Sequence, residues 1–164
     1  MSSDSGVAFR PARDGDGQAL LETTCSSIMA LGASHYPAEV LSGWMGTRDA
    51  AYYESEIREG TITVAECDGA VVGYVDAVPG EVVRLFVVPS FAGRGLGGAL
   101  LRIALDEAQK DHAGPIKLEA TLNAESFYAH HGFKRVGLGY FSLQRGGAPI
   151  QVVHMERPVR AEGS

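Results

Sequence analysis

Between Leu85 and Gly98 the chain reads Leu-Phe-Val-Val-Pro-Ser-Phe-Ala-Gly-Arg-Gly-Leu-Gly-Gly. A strand-forming run stops at Pro89, and glycines then occupy positions 93, 95, 97 and 98. Ala99-Leu100-Leu101, Ile103-Ala104-Leu105 and Ala108 follow at helical spacing. The first turn of a helix carries unpaired backbone N–H groups and a partial positive charge. Glycine lets a ligand approach that backbone with no Cβ in the way. A strand, a glycine loop and a helix N-terminus therefore make an anion site, well suited to phosphate. Arg94 adds a cation within reach of it.

Two other readings of the loop compete. Gly93, Gly95 and Gly98 also satisfy G-x-G-x-x-G, with Glu119 about 20 residues on, as in a dinucleotide fingerprint. That fingerprint sits in the tight turn directly after its strand, whereas Pro89 to Ala92 intervene here, and Asp68-Gly69 upstream signals a hairpin rather than a crossover. The plainer alternative is a helix start whose glycines serve packing alone.

The elements that must position this loop follow from patterning. Val7–Pro11 reads as a strand. Asp14, Gly15 and Asp16 cap a helix that carries Leu20, Leu21, Thr24, Cys25, Ile28 and Leu31 on one side and ends at Gly32. Pro37 opens a short helix reaching Trp44 and Met45, and Thr47 caps another from Arg48 to about Glu59, closed by Gly60. Thr61–Cys67 and Val71–Val78 flank the Asp68-Gly69 turn, and Glu81–Val88 follows Pro79-Gly80 as a third strand of a meander. After the loop helix, Ile116–Thr121 reads as a strand, Asn123 to about His131 as a short helix, Phe133 to about Arg145 as a strand, Gly146-Gly147 as a turn and Ile150–Arg157 as the last strand. The expected architecture is an α/β (α+β) domain with a mixed, mostly antiparallel sheet of about six to seven strands and helices on both faces. It is a single domain over residues 1–164, with an ordered core of about 7–157.

Composition narrows the function classes. Glycine supplies 21 of 164 residues, against a typical ~7%. A hydrophobic content of 45% with 21% charged residues belongs to globular chains. No apolar run approaches membrane-spanning length, and Met1–Gly6 lacks the apolar core of a signal peptide. Cys25 and Cys67 make neither a disulfide scaffold nor a zinc pattern, so a cytoplasmic location is expected. The five histidines have no ligand spacing, and no metal is expected. A net charge of −6 argues against non-specific nucleic-acid binding.

With these residues in view, the chain resembles the GCN5-related N-acetyltransferases, the GNAT superfamily. The family motif Q/R-x-x-G-x-G/A corresponds to Ala92-Gly93-Arg94-Gly95-Leu96-Gly97, with Ala92 departing at the first position. The downstream pattern N-A-x-x-F-Y-x-x-x-G-F is met by Asn123, Ala124, Phe127, Tyr128, Gly132 and Phe133. The separation between the two, one helix and one strand, also matches. Tyr36-Pro37 and Trp44 suggest the bacterial small-GNAT type.

The resemblance implies acetyl-CoA as acyl donor, its pyrophosphate on the amides of Gly93, Arg94, Gly95, Leu96, Gly97 and Gly98. Its pantetheine arm would run along Phe86, Val87 and Val88 like an added strand. Asn123 either binds cofactor or caps its helix. Tyr128 takes the general-acid position: a phenol of pKa ~10 holds a proton for a departing thiolate at neutral pH. A lysine-like amine must lose a proton to attack, at about 4.6 kcal/mol at pH 7, so a base is useful. Glu81 matches the glutamate base of the histone acetyltransferase branch, with Glu66, Asp76 and a water chain as rivals. Strict alternation puts Glu81, Val83, Leu85 and Val87 on one strand face and Arg84 on the other.

The expected activity is acetyl transfer to a primary amine of a small molecule or peptide, without an acyl-enzyme. The alternative is a non-catalytic CoA-binding module. Tyr36, Trp44, Tyr52 and Tyr53 are candidate acceptor-site residues. Asp49 to Val83 holds eight acids and one base, whereas Arg84 to Ser164 holds ten bases and seven acids; this split points toward a cationic amine. A monomer or homodimer is expected, with neither a nucleic-acid nor a membrane partner.

Overall fold

The computed structural model describes residues 6–31, 36, 48–141 and 150–158. The expected helix from Pro37 to Met45, the Gly32 terminus, the Thr47 cap and the Gly146-Gly147 turn lie outside them. The described elements are β1 (Val7–Pro11), α1 (Gly17–Leu31), α2 (Ala50–Ile57), β2 (Ile62–Cys67), β3 (Ala70–Val78), β4 (Glu81–Val87), α3 (Leu96–Gln109), β5 (Ile116–Thr121), α4 (Glu125–His130), β6 (Lys134–Phe141) and β7 (Ile150–Arg157). Short 3₁₀ turns at Pro89–Phe91 and Leu122–Ala124 lead into α3 and α4.

The strands form one seven-stranded sheet in the order β1-β2-β3-β4-β5-β7-β6. The β2–β3 turn bears out its sequence signal. Asp68 and Gly69 both take positive φ, 52° and 82°, the geometry of a hairpin turn whose twist matches its strands. One face of the sheet packs on α3 and α4 through Val75, Val82, Leu100, Leu101, Ala104 and Phe133. The other packs on α1 and α2 through Leu20, Tyr53, Ile57, Val64 and Tyr74. No described helix is long and apolar enough to cross a membrane.

Two local features shape the region around β4. The N-cap of α2 is Asp49, whose carboxylate accepts from the Tyr52 N–H at 2.9 Å; the helix begins at Ala50, two residues later than expected. Glu54 of α2 then reaches the start of α1, accepting from Gly17 N–H at 2.6 Å and Gly15 N–H at 3.0 Å. An acidic group there satisfies free donors and complements the helix dipole. Glu54→Ala is expected to cost about 1–2 kcal/mol, read as a lower urea midpoint. An unchanged midpoint would mean that water replaces the carboxylate without loss.

The second feature is a bulge. Asp76 pairs with Arg84 but Ala77 pairs with Val82, which leaves Val83 as the extra residue. A bulge bends its strand and shifts the alternation of side chains. Val82, not Val83, therefore joins Leu85 and Val87 on the α3 side, and Val83 is exposed. The expected face sharing is corrected: Glu81 falls on the face of Arg84.

Candidate active site

β4 and β5 are the parallel neighbours in the sheet, and they pair only at Glu81 and Lys117. Every other neighbouring pair runs antiparallel with a longer ladder. From the bulge onward β4 and β5 diverge, and a wedge-shaped opening runs between them.

On one side of the wedge is a cleft of about 440 Å³. Leu85, Phe86 and Val87 of β4 form one wall, and Asn123, Phe127 and Tyr128 another. The glycine loop closes its end with Gly93, Gly95, Gly97 and Gly98. Gly95 caps α3 at φ 83°, and Gly93 has φ 79°. Both are conformations that side-chain-bearing residues rarely adopt, and a Cβ at either would meet nothing within 4 Å. Their surroundings are open rather than packed. The helix ladder starts with Ala99 N–H to Gly95 C=O at 3.1 Å, so the amides of Leu96, Gly97 and Gly98 have no intrahelical acceptor. Gly97 and Gly98 have a different reason: a Cβ would come to 3.3 Å from Phe127 and 3.4 Å from His131. The packing reading thus applies to Gly97 and Gly98, while Gly93 and Gly95 border open space.

Not every expected cofactor residue lines this cleft. Val88 is outside the lining, its N–H committed to Val72 C=O at 3.0 Å. Arg94 stacks its guanidinium 4.8 Å over the Phe91 ring and faces a neighbouring hollow with Val7, Phe9 and Ala99. The Leu96 side chain is buried in the core. Asn123 makes no side-chain cap hydrogen bond and lines the cleft instead.

On the other side of the wedge is a cleft of about 340 Å³, lined by Arg48, Tyr52, Glu81, Arg84, Glu119 and Val152 among others. Leu85, Phe86, Thr121, Ala124 and Tyr128 line both clefts. Tyr128 therefore stands where they meet. Its ring is wedged edge-on between Phe127 and Phe133, at 5.1 and 5.8 Å. Burial raises its phenol pKa above the ordinary value, so the hydroxyl stays protonated well past neutrality.

The rival bases are engaged elsewhere. Glu66 accepts from Arg10 at 3.0 Å. Asp76 is buried between Thr61 Oγ1 and Arg84 Nε, the latter at 3.3 Å. Glu81 lines the wedge with Tyr128. Of the acceptor-site aromatics, Tyr52 lines the second cleft, Trp44 lies outside the described residues, and Tyr53 is fully buried in the α1–α2 core. Tyr36 ties its segment to the sheet: its hydroxyl donates to Gln151 C=O at 2.7 Å and accepts from Leu122 N–H at 2.8 Å.

The acid excess between Asp49 and Val83 is mostly consumed inside the fold. Asp49 and Glu54 serve helix starts, Glu56 and Asp76 hold Arg84, and Glu66 holds Arg10. Glu59 and Asp68 are exposed, and Glu81 is the one of the eight that lines the second cleft.

The model of the acetyltransferase (GNAT) domain matches residues 33–156. This chain belongs to the GNAT family. A relative of this GNAT chain is the uncharacterized N-acetyltransferase YafP of Escherichia coli K12, 22% identical over 130 residues, 79% of this chain and 83% of the relative. The GCN5-related N-acetyltransferase structure from Rhodopseudomonas palustris superposes with a TM-score of 0.84 at 23% identity, covering 93% of this chain and 95% of that one. The PaiA N-acetyltransferase of Thermoplasma acidophilum, crystallised in complex with coenzyme A, has a TM-score of 0.72 at 20% identity, covering 96% and 99%. The expected fold is thereby borne out: a mixed GNAT sheet of seven strands, mostly antiparallel, with helices on both faces.

Sequence reasoning missed several lining residues of this GNAT site. Ser27 and Ile28 of α1 reach the first cleft; a period that marks a buried face does not say what the face meets. Arg48 and Glu119 reach the second. Arg48 was a helix residue in the sequence, and Glu119 an alternating strand acid 38 positions from Glu81. Only the β4–β5 pairing brings them to one opening.

Proposed function

We propose that this GNAT protein is an acetyl-CoA-dependent N-acetyltransferase that moves an acetyl group directly to a primary amine of a small molecule or peptide. The observation that carries the reading is the position of Tyr128, on the wall shared by a cleft that ends in free helix amides and a cleft that holds a carboxylate.

The residues suit the donor. The amides at the start of α3 offer charge-assisted bonds to a pyrophosphate, each worth roughly 1.5–3 kcal/mol, and Gly93 and Gly95 leave the approach open. β4 beyond its bulge offers unpaired backbone groups to an extended arm, and Asn123 offers an amide beside it. The crystallised coenzyme A complex of PaiA supports the same ligand class. Bound acetyl-CoA supplies an activated thioester. Tyr128 holds the proton for the departing sulfur, and Glu81, directly or through water, takes the proton that the amine must lose.

Glu81→Gln is expected to lower the rate most at pH values below the amine's own pKa, where deprotonation limits reaction. A pH–rate profile superposable on the wild type would remove Glu81 from this role. The function itself is tested by thiol release from acetyl-CoA over a panel of amines, amino acids and peptides. Tight binding of acetyl-CoA without turnover across the panel would replace the enzyme with a CoA-binding module.

A further inference from the structure

The walls of the second cleft carry more than the reaction requires. Arg48, at the entry to α2, sits 4.7 Å over the Tyr52 ring. Among the described residues its guanidinium has no carboxylate partner, and its Nε is buried without a hydrogen bond. Arg84 of β4 lines the same cleft. Glu56 holds its Nη2 at 2.5 Å and Asp76 approaches its Nε at 3.3 Å, yet its Nη1 is buried and unpaired. A buried donor without an acceptor costs about 1–3 kcal/mol. Two guanidinium groups thus border one small cleft, each with a buried donor that no described group accepts from.

The remaining charges of the cleft are Glu81 and Glu119. Glu119 faces His154, with 3.4 Å between Oε2 and Nδ1. The Arg84 cluster is already balanced by its two carboxylates, so among the described residues Arg48 is the cation of this cleft without a carboxylate partner. The cleft thus carries both signs of charge, Arg48 and Arg84 beside Glu81 and Glu119. A volume of about 340 Å³ suits a molecule of amino-acid size.

We infer that the acceptor is a small amine that also carries a carboxylate, bound with the carboxylate against the guanidinium of Arg48, beside Arg84, and the amine toward Tyr128 and Glu81. The inference rests on the acetyltransferase reading above and names its substrate class. A guanidinium fork matches the planar carboxylate, which gives orientation as well as affinity. Such orientation carries the amine to the wedge.

The test uses matched acceptors: free amino acids, their primary amides and their decarboxylated amines, followed by thiol release with the full chain. The amide twin has the less basic amine, so intrinsic reactivity works against the expected order. The free acid is expected to exceed its twins by about tenfold or more in kcat/KM. Arg48→Met is expected to raise KM for the acid and close that gap, and Arg48→Lys to restore part of it. Twins that turn over as well as the acid in the wild type overturn the inference, as does an Arg48→Met enzyme that keeps the preference. Acetyl-CoA titration by calorimetry separates the two levels. Absent binding sinks the acetyltransferase reading; binding without carboxylate preference, or without any turnover of these acceptors, sinks only this inference.

Discussion

Gly95→Val is expected to lower acetyl-CoA affinity by about 100-fold or more, the equivalent of losing two charge-assisted hydrogen bonds. Gly95 is the N-cap of α3 at φ 83°. A β-branched residue is a genuine outlier there, so the loop must rearrange to accept valine. Rearrangement moves the free amides of Leu96, Gly97 and Gly98 away from the phosphate position. The space around Gly95 is empty of protein atoms within 4 Å, so the side chain also projects into the approach. Because nothing packs there, the core on α3 is left in place, and circular dichroism should show an intact fold. Calorimetric titration with acetyl-CoA reads the effect. Near-normal affinity in a folded variant would mean that the cradle does not carry the phosphates. Gly97 differs, because a Cβ there presses on Phe127 at 3.3 Å, and its substitution disturbs α4 as well as the cleft.

Tyr128→Phe is expected to lower kcat by roughly 10²–10⁴-fold, the usual contribution of a positioned general acid. The ring contacts to Phe127 and Phe133 survive in phenylalanine. No described residue hydrogen-bonds the Tyr128 hydroxyl, so its loss orphans no protein group, and thermal stability should change little. The pH dependence has a definite sign. Burial raises the Tyr128 pKa, so the protonated acid persists as pH rises. The wild-type kcat profile should therefore show no basic limb from this group up to about pH 10. A Phe variant with wild-type turnover would strip Tyr128 of the role, and an alkaline limb near neutrality that disappears in the variant would contradict the raised pKa.

Local structure was legible where one short segment decides it. Asp68-Gly69 specified a hairpin because few residues tolerate two consecutive positive φ values. The glycine loop and the apolar repeat after it specified a strand, a turn and a helix. The same logic failed where a distant segment intervened. α2 is capped by Asp49 and begins at Ala50 rather than Arg48, because capping depends on where the backbone turns into the helix. Asn123 looked like a cap, yet its side chain lines the cleft while the 3₁₀ turn at Leu122–Ala124 starts α4 without side-chain help.

The charge split illustrates the limit more sharply. Eight acids between Asp49 and Val83 pointed toward a cationic amine, but a composition cannot reveal internal pairing. Arg10 and Arg84, from β1 and β4, draw Glu66, Glu56 and Asp76 into ion pairs. What lines the second cleft is the remainder of that cancellation: Glu81 from the acidic stretch, with Glu119, Arg84 and Arg48.

By itself, then, the sequence determined most of the described elements, the family resemblance and the glycine loop, since these rest on backbone conformation and periodicity within a few turns of chain. Tertiary structure alone decided three things. The extra residue Val83 turned Glu81 onto the face of Arg84. The single Glu81–Lys117 pairing let β4 and β5 part and opened the wedge. The register of β4 with β5 and the docking of α2 brought Arg48, Arg84, Glu81 and Glu119 to one opening. Each depends on which strands pair and where the pairing stops, a competition among distant segments for the same hydrogen bonds and the same core.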